Sequence, residues 1–107
     1  MKSINAADLA LWLADSERAP PLLLDVREPW EQKICAIDGS QAMPMQQVPG
    51  MFQSLDPQQP IVCICHHGGR SAQVAIYLQR HGYEDVYNLT GGVDAWARQV
   101  DRSMPVY

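Results

Sequence analysis

Apolar positions along the chain follow two alternating patterns. Behind Asn5, a residue type that caps helices, Leu9, Trp12 and Leu13 share one face at i, i+3, i+4. This predicts a short amphipathic helix that ends before Pro20 and Pro21. Residues 22–26 form an apolar run between those prolines and the charges that follow, which predicts a buried strand. One or two helical turns are expected over 28–34, since Pro29 is tolerated at a helix start. Val48, Met51, Phe52 and Leu55, spaced i, i+3, i+4, i+7 with Pro49 in the first turn, predict a small helix closed by Pro57 and Pro60.

The alternation continues through the second half. Residues 61–65 are short and rich in β-formers, which predicts a second buried strand. Val74, Ala75 and Leu78 mark a helix that stops at Gly82. Residues 86–89 predict a third strand, and Val93, Trp96, Ala97 and Val100 repeat with helical spacing. Strand and helix in turn imply an α/β domain with a small, mostly parallel central sheet flanked by helices. Ligands of such sheets sit beyond the carboxyl ends of the strands, so chemistry is expected just after Val26 and just after Ile64.

Composition narrows the partners. At 107 residues the chain is the size of one domain, and a single domain over 1–107 is expected. Hydrophobic residues at 47% and charged residues at 19% are ordinary for a globular protein, without repeats. Eight Lys and Arg against twelve Asp and Glu give a net charge of −4, so no nucleic-acid partner is expected. The longest apolar runs, 22–24 and 61–65, are strand-sized, and no membrane partner is expected. Residues 6–14 after Lys2 faintly resemble a signal peptide, but Asp8 interrupts the stretch and no Ala-x-Ala site follows. Three cysteines, Cys35, Cys63 and Cys65, cannot all pair, so reduced thiols in the cytoplasm are the expectation. The sequence carries no signal for oligomeric state.

The most informative stretch is Cys65-His66-His67-Gly68-Gly69-Arg70-Ser71, which leads from a predicted strand straight into a helix. A thiol at a strand's end, facing a loop that glycines free to curl, can be ringed by N–H donors and the positive end of the helix. Such a cradle holds an anion, and around a cysteine it favours the nucleophilic thiolate. Arg70 brings a planar fork of five donors to the loop–helix junction. It is expected to tie loop carbonyls together and so turn their N–H partners toward Cys65.

Cys65-x-x-Gly68-x-Arg70-Ser71 resembles the active-site loop of the rhodanese family. Leu23-Leu24-Asp25-Val26-Arg27-Glu28, Ile37-x-Gly39-Ser40 with Met43-Pro44, and Leu89-x-Gly91-Gly92-x-x-Ala95-Trp96 resemble its other motifs, in the same order. The resemblance implies a rhodanese-like fold and sulfurtransferase chemistry with no cofactor and no metal. A Cys65 thiolate would take the outer sulfur of a small donor such as thiosulfate or a persulfide, and the Cys65 persulfide would pass it to a thiol or to cyanide. His66, His67, Gly68, Gly69, Arg70 and Ser71 would form the substrate-binding loop. Where many members carry Gly-His and Asn, this chain has Cys35-Ala36 and Ala42, positions that bear on local packing.

Other readings are weighed against this one. Cysteine-dependent phosphatases and arsenate reductases place five residues between Cys and Arg, whereas this chain has four, and a shorter loop suits one added sulfur better than a tetrahedral oxyanion. Noncatalytic rhodanese-like modules that only bind a partner typically lack the loop cysteine. Zinc would need a second ligand pair beside Cys63, Cys65, His66 and His67, and Cys35 with His81 makes a poor one. Cys63 and Cys35 are expected to be inert core residues, Trp96 a core residue, and Met43, Met45 and Met51 gap fillers or the edge of a binding surface. His66 and His67 are expected to have exposed rings whose protonation favours an anion. Asp25 and Arg27 end on the same rim as Cys65. Arg27 either contacts the donor or makes a structural salt bridge, with Asp25 supporting the site from behind.

Overall fold

Five short parallel strands order the chain, in a computed structural model that describes residues 1–107. They are β1 (Lys2–Ile4), β2 (Leu22–Asp25), β3 (Gln41–Ala42), β4 (Ile61–Ile64) and β5 (Val86–Leu89), arranged β1-β5-β4-β2-β3. The helices are α1 (Ala6–Ala14), α2 (Pro29–Ile34), α3 (Val48–Met51), α4 (Gly69–Arg80) and α5 (Gly92–Gln99). The three central strands are those the apolar runs predict. Both edge strands escape that reading, because they are two or three residues long and mostly exposed.

Side-chain alternation along β2 and β4 divides the interior in two. Leu24, Ile61 and Cys63 face a core closed by Val48, Val74, Ala75, Leu78 and Tyr83, largely from α3 and α4. Leu23, Val62 and Ile64 face the opposite core, closed by Leu9, Trp12, Val93 and Trp96 from α1 and α5. Three positions of the predicted helical stripes differ. Leu13, Met51 and Val100 are exposed. The helix expected through Leu55 is a 3-10 turn (Met45–Gln47), one turn of α3 and a second 3-10 turn (Phe52–Ser54). No helix is long and apolar enough to cross a membrane.

Register determines what stands at the rim. Asp25, last in β2, pairs with Ile64, last in β4, and the Val26 N–H donates to the Ile64 carbonyl at 2.9 Å. Arg27 and Cys65 therefore leave the sheet close together. Asp25 and Arg27 are both fully buried and form an ion pair at 2.7 Å. Every donor of the guanidinium has a protein acceptor: Nε and one terminal nitrogen take Asp25, which also accepts the Arg27 N–H, and the terminal nitrogens reach the Cys35 and Glu31 carbonyls and the Tyr107 hydroxyl. Removing one charge of such a pair strands the other in the interior. Asp25→Ala is expected to cost about 3–5 kcal/mol in urea denaturation, and a loss below about 1 kcal/mol would contradict this account.

Candidate active site

Cys65 begins the loop between β4 and α4 and is buried. Its Sγ accepts the Gly68 N–H at 3.0 Å and lies 3.2 Å from Ser71 Oγ. Ser71, in the first turn of α4, is also buried, and its hydroxyl donates to Asn88 Oδ1 near the end of β5. Asn88 in turn donates from Nδ2 to the Gly68 carbonyl at 3.2 Å. One amide side chain thus holds both the residue that donates to sulfur and the hydroxyl beside it.

The loop's carbonyls are held from another direction. Val93 and Asp94, in the first turn of α5, donate their N–H groups to the Cys65 and His66 carbonyls at 3.0 and 3.1 Å. These are the donors that a helix start leaves without internal partners. Gly92 makes the approach possible. Its φ is +57°, and a Cβ there would stand 2.3 Å from the Cys65 oxygen and 2.4 Å from the His66 oxygen. Gly68, at φ +114°, supplies the left-handed step from which α4 starts.

Arg70 points its fork at Glu31, not at backbone carbonyls. Two hydrogen bonds, at 2.7 and 2.8 Å, join its terminal nitrogens to the two carboxylate oxygens. Glu31 also accepts the Glu28 N–H at 2.9 Å, as the third residue of a capping box, and the Tyr107 hydroxyl at 3.1 Å. Its carboxyl is drawn down to about 2, chiefly by the Arg70 hydrogen bonds, against the opposing effect of burial. Arg70 is raised, mainly by the same bonds.

His66 lies between two rings. Tyr107 stacks flat on it at 3.8 Å and 4°, and His67 leans on it at 3.8 Å and 32°. Its Nε2 is buried without a hydrogen-bond partner. Burial first, and the neighbouring His67 second, hold His66 below the usual imidazole range. His66, His67 and Asp94 offer ligand atoms within 4.8 Å of one another.

A family model described as a Rhodanese-like domain matches residues 5–99. This chain belongs to the rhodanese family. Over 98 residues it is 36% identical to a protein of Allochromatium vinosum named Sulfurtransferase, a match that covers 92% of this chain and 90% of that protein. It is 42% identical over 89 residues to the chloroplastic Rhodanese-like/PpiC domain-containing protein 12 of Arabidopsis thaliana, covering 79% of this chain but only 30% of that longer protein. The crystal structure of a Rhodanese-like domain protein from Staphylococcus aureus superposes with a TM-score of 0.84 at 31% identity, covering 100% of this chain and 99% of that one.

Within this rhodanese loop the expected residues divide. Gly68 and Ser71 converge on the sulfur, and Gly69 opens α4 with no neighbour around its missing side chain. Of the two roles expected for Arg27, the structure shows the structural salt bridge with Asp25: the side chain is fully buried and bonded at every donor, which leaves no N–H free for a donor molecule. His67 has the exposed ring expected of it, whereas the His66 ring is half-buried under Tyr107. Cys63 is a core thiol pushed up to about 12, by burial first and by Cys65 second, and Cys35 Sγ faces Arg27 at 3.8 Å. Met43 is core, Met45 edges a cavity of about 200 Å³ with Val48, Pro49, Gln73, Val74 and Tyr77, and Met51 is exposed. Glu31, Asn88 and Tyr107 join the site without having been singled out. Only Glu31 had a local signal, since it stands three residues after Glu28 in capping-box spacing.

Two outcomes follow from these contacts. The Glu31 carboxyl lies below its ordinary unfolded value of about 4.3. Its contribution to stability is therefore complete above that pH and lost as pH falls toward about 2. Glu31→Gln should lower stability near neutrality by on the order of 2 kcal/mol, allowing for the partial exposure of Arg70, and should flatten the acid limb of stability against pH. Parallel limbs in urea titrations of the two proteins would count against the contact. Gly92→Ala should cost at least about 2 kcal/mol in thermal unfolding, because the Cβ collides with backbone and the φ is strained.

Proposed function

We propose that this rhodanese domain, spanning 1–107, is a cytoplasmic sulfurtransferase that carries sulfur on Cys65. The observation that carries the reading is the convergence of the Gly68 N–H and the Ser71 hydroxyl on Cys65 Sγ at the start of α4. The Gly68 N–H donates to the sulfur and is fixed before reaction, and the Ser71 hydroxyl beside it can donate to a negatively charged sulfur by turning its proton away from Asn88. Relatives named for sulfur transfer support the same chemistry.

The reaction divides into two displacements. The Cys65 thiolate attacks the outer sulfur of thiosulfate, the sulfur–sulfur bond breaks, and sulfite leaves with the bonding pair. A thiol persulfide would react in the same way and release a thiolate. The Cys65 persulfide then presents its terminal sulfur to cyanide or to a thiolate acceptor, and the Cys65 thiolate leaves. No electrons enter or depart overall, and no cofactor or metal takes part. Arg70 acts through its bond to Glu31, which fixes the first turn of α4 and with it Ser71.

The intact mass after incubation with thiosulfate should rise by one sulfur atom in the wild-type protein and not in Cys65→Ser. Thiosulfate-to-cyanide transfer should fall to background in Cys65→Ser and persist in Cys35→Ser. It should also persist in Cys63→Ser, with some loss of stability from a buried hydroxyl. Aryl phosphate should not be hydrolysed appreciably. Sulfur transfer undiminished in Cys65→Ser, or Cys65-dependent phosphate hydrolysis as the faster reaction, would end this reading.

A further inference from the structure

The segment after α5 folds back over the rim and places Tyr107 where the parts of the site meet. Its ring lies on His66 at 3.8 Å, nearly parallel, and the Trp30 ring packs edge-on against it at 6.2 Å. Its hydroxyl accepts from Arg27 at 2.9 Å and donates to Glu31 at 3.1 Å. One half-buried side chain therefore touches the residue next to Cys65, the carboxylate that holds Arg70, and the buried cation behind both.

We propose that Tyr107 is a positioning residue of the sulfur site, its ring fixing His66 beside Cys65 and its hydroxyl fixing the Glu31 carboxylate behind Arg70. The proposal rests on the reading of Cys65 as the reacting sulfur. The His66 backbone is anchored by the Asp94 N–H, but Nε2 of its side chain has no hydrogen bond. Ring packing is what orients such an imidazole, and the flattest contact it makes is with Tyr107. Without that ring, His66 would turn toward water to hydrate its nitrogen, pulling on the peptide that joins it to Cys65.

The same stacking bears on charge. His66 is faced by His67 from its own loop, Tyr107 from the tail, Asp94 from α5 and Glu31 from α2. Burial is the largest effect and lowers the pKa of the ring, with His67 adding to it, while the Tyr107 backbone and the two carboxylates oppose. The groups within hydrogen-bond reach of the sulfur are the Gly68 N–H and the Ser71 hydroxyl.

Tyr107→Leu removes ring and hydroxyl, and Tyr107→Phe removes the hydroxyl alone. In Tyr107→Leu the His66 imidazole should titrate at higher pH by NMR, and the pH profile of Cys65 alkylation by iodoacetamide should gain a step in the same range. Sulfur transfer kcat/KM should fall about ten- to a hundredfold. Tyr107→Phe should keep the wild-type His66 titration and alkylation profile but lose acid stability at a higher pH, because Glu31 loses a donor. In the wild-type protein the carbon-bound protons of His66 should lie upfield of their free-histidine positions, shifted by the Tyr107 ring. Absence of that shift would overturn the proposal even if Tyr107→Leu failed to fold. A folded Tyr107→Leu with unmoved titration and alkylation profiles would overturn it as well. Titration and alkylation need no sulfur donor, so a protein that passes both yet transfers no sulfur would refute the proposed function and leave the placement of Tyr107 intact.

Discussion

A fully buried guanidinium has to satisfy every N–H it carries, and the rim of this domain is arranged around that requirement at Arg27. Asp25 supplies the charge. The Glu31 and Cys35 carbonyls draw the ends of α2 toward Arg27, and the Tyr107 hydroxyl brings in the tail. Through Glu31 and Tyr107 the network continues to Arg70 and α4. A buried cation adds little net stability over an apolar side chain of similar size. It does specify geometry, because few arrangements of three separate segments satisfy one planar fork.

The cradle around Cys65 has a second, independent support. Its donors face inward because its carbonyls are held outward by the start of α5 and by Asn88. Helix N-terminal donors are commonly considered as anion sites, yet here two of them are spent on the backbone of a neighbouring loop. What reaches the sulfur is one backbone N–H, from Gly68, and one side-chain hydroxyl, from Ser71. β5 therefore matters to the site through Asn88, which bonds both Ser71 and Gly68. Its carboxyl end delivers Asn88 and the glycine pair behind which α5 begins.

The central strands, the flanking helices and the placing of Cys65 at a loop beyond β4 were legible in the sequence, because apolar periodicity and a Gly-bearing loop after a strand are local signals. Edge strands β1 and β3 were not, since pairing with a neighbour makes them strands where their own side chains carry no alternation. Leu13, Met51 and Val100 fit the helical spacing but end exposed, because a repeat identifies a face and not where the face stops. The partner of Arg70 lies 39 positions away, and that of His66 in the tail is separated by most of α4, β5 and α5. No spacing within the loop encodes such contacts. The fork of Arg70 was expected to tie loop carbonyls together, but its target is a carboxylate on another helix.

These pairings decide what kind of field the sulfur experiences. Arg27 is neutralised by Asp25, Arg70 by Glu31, and burial lowers the pKa of His66. The positive groups nearest the loop therefore bring little net charge to its mouth, and a dianion approaching from solvent meets weak long-range attraction. Stabilisation comes instead from the Gly68 hydrogen bond at 3.0 Å, with the Ser71 hydroxyl 3.2 Å from the sulfur, effects that fall off within an atom or two of Sγ. On the proposed reading, a site built that way would discriminate by what happens at the sulfur itself, accepting a single polarizable atom on Cys65 and leaving the rest of the donor to the rim. The chemistry of transfer and the choice of donor would then fall to different residues of the same small domain.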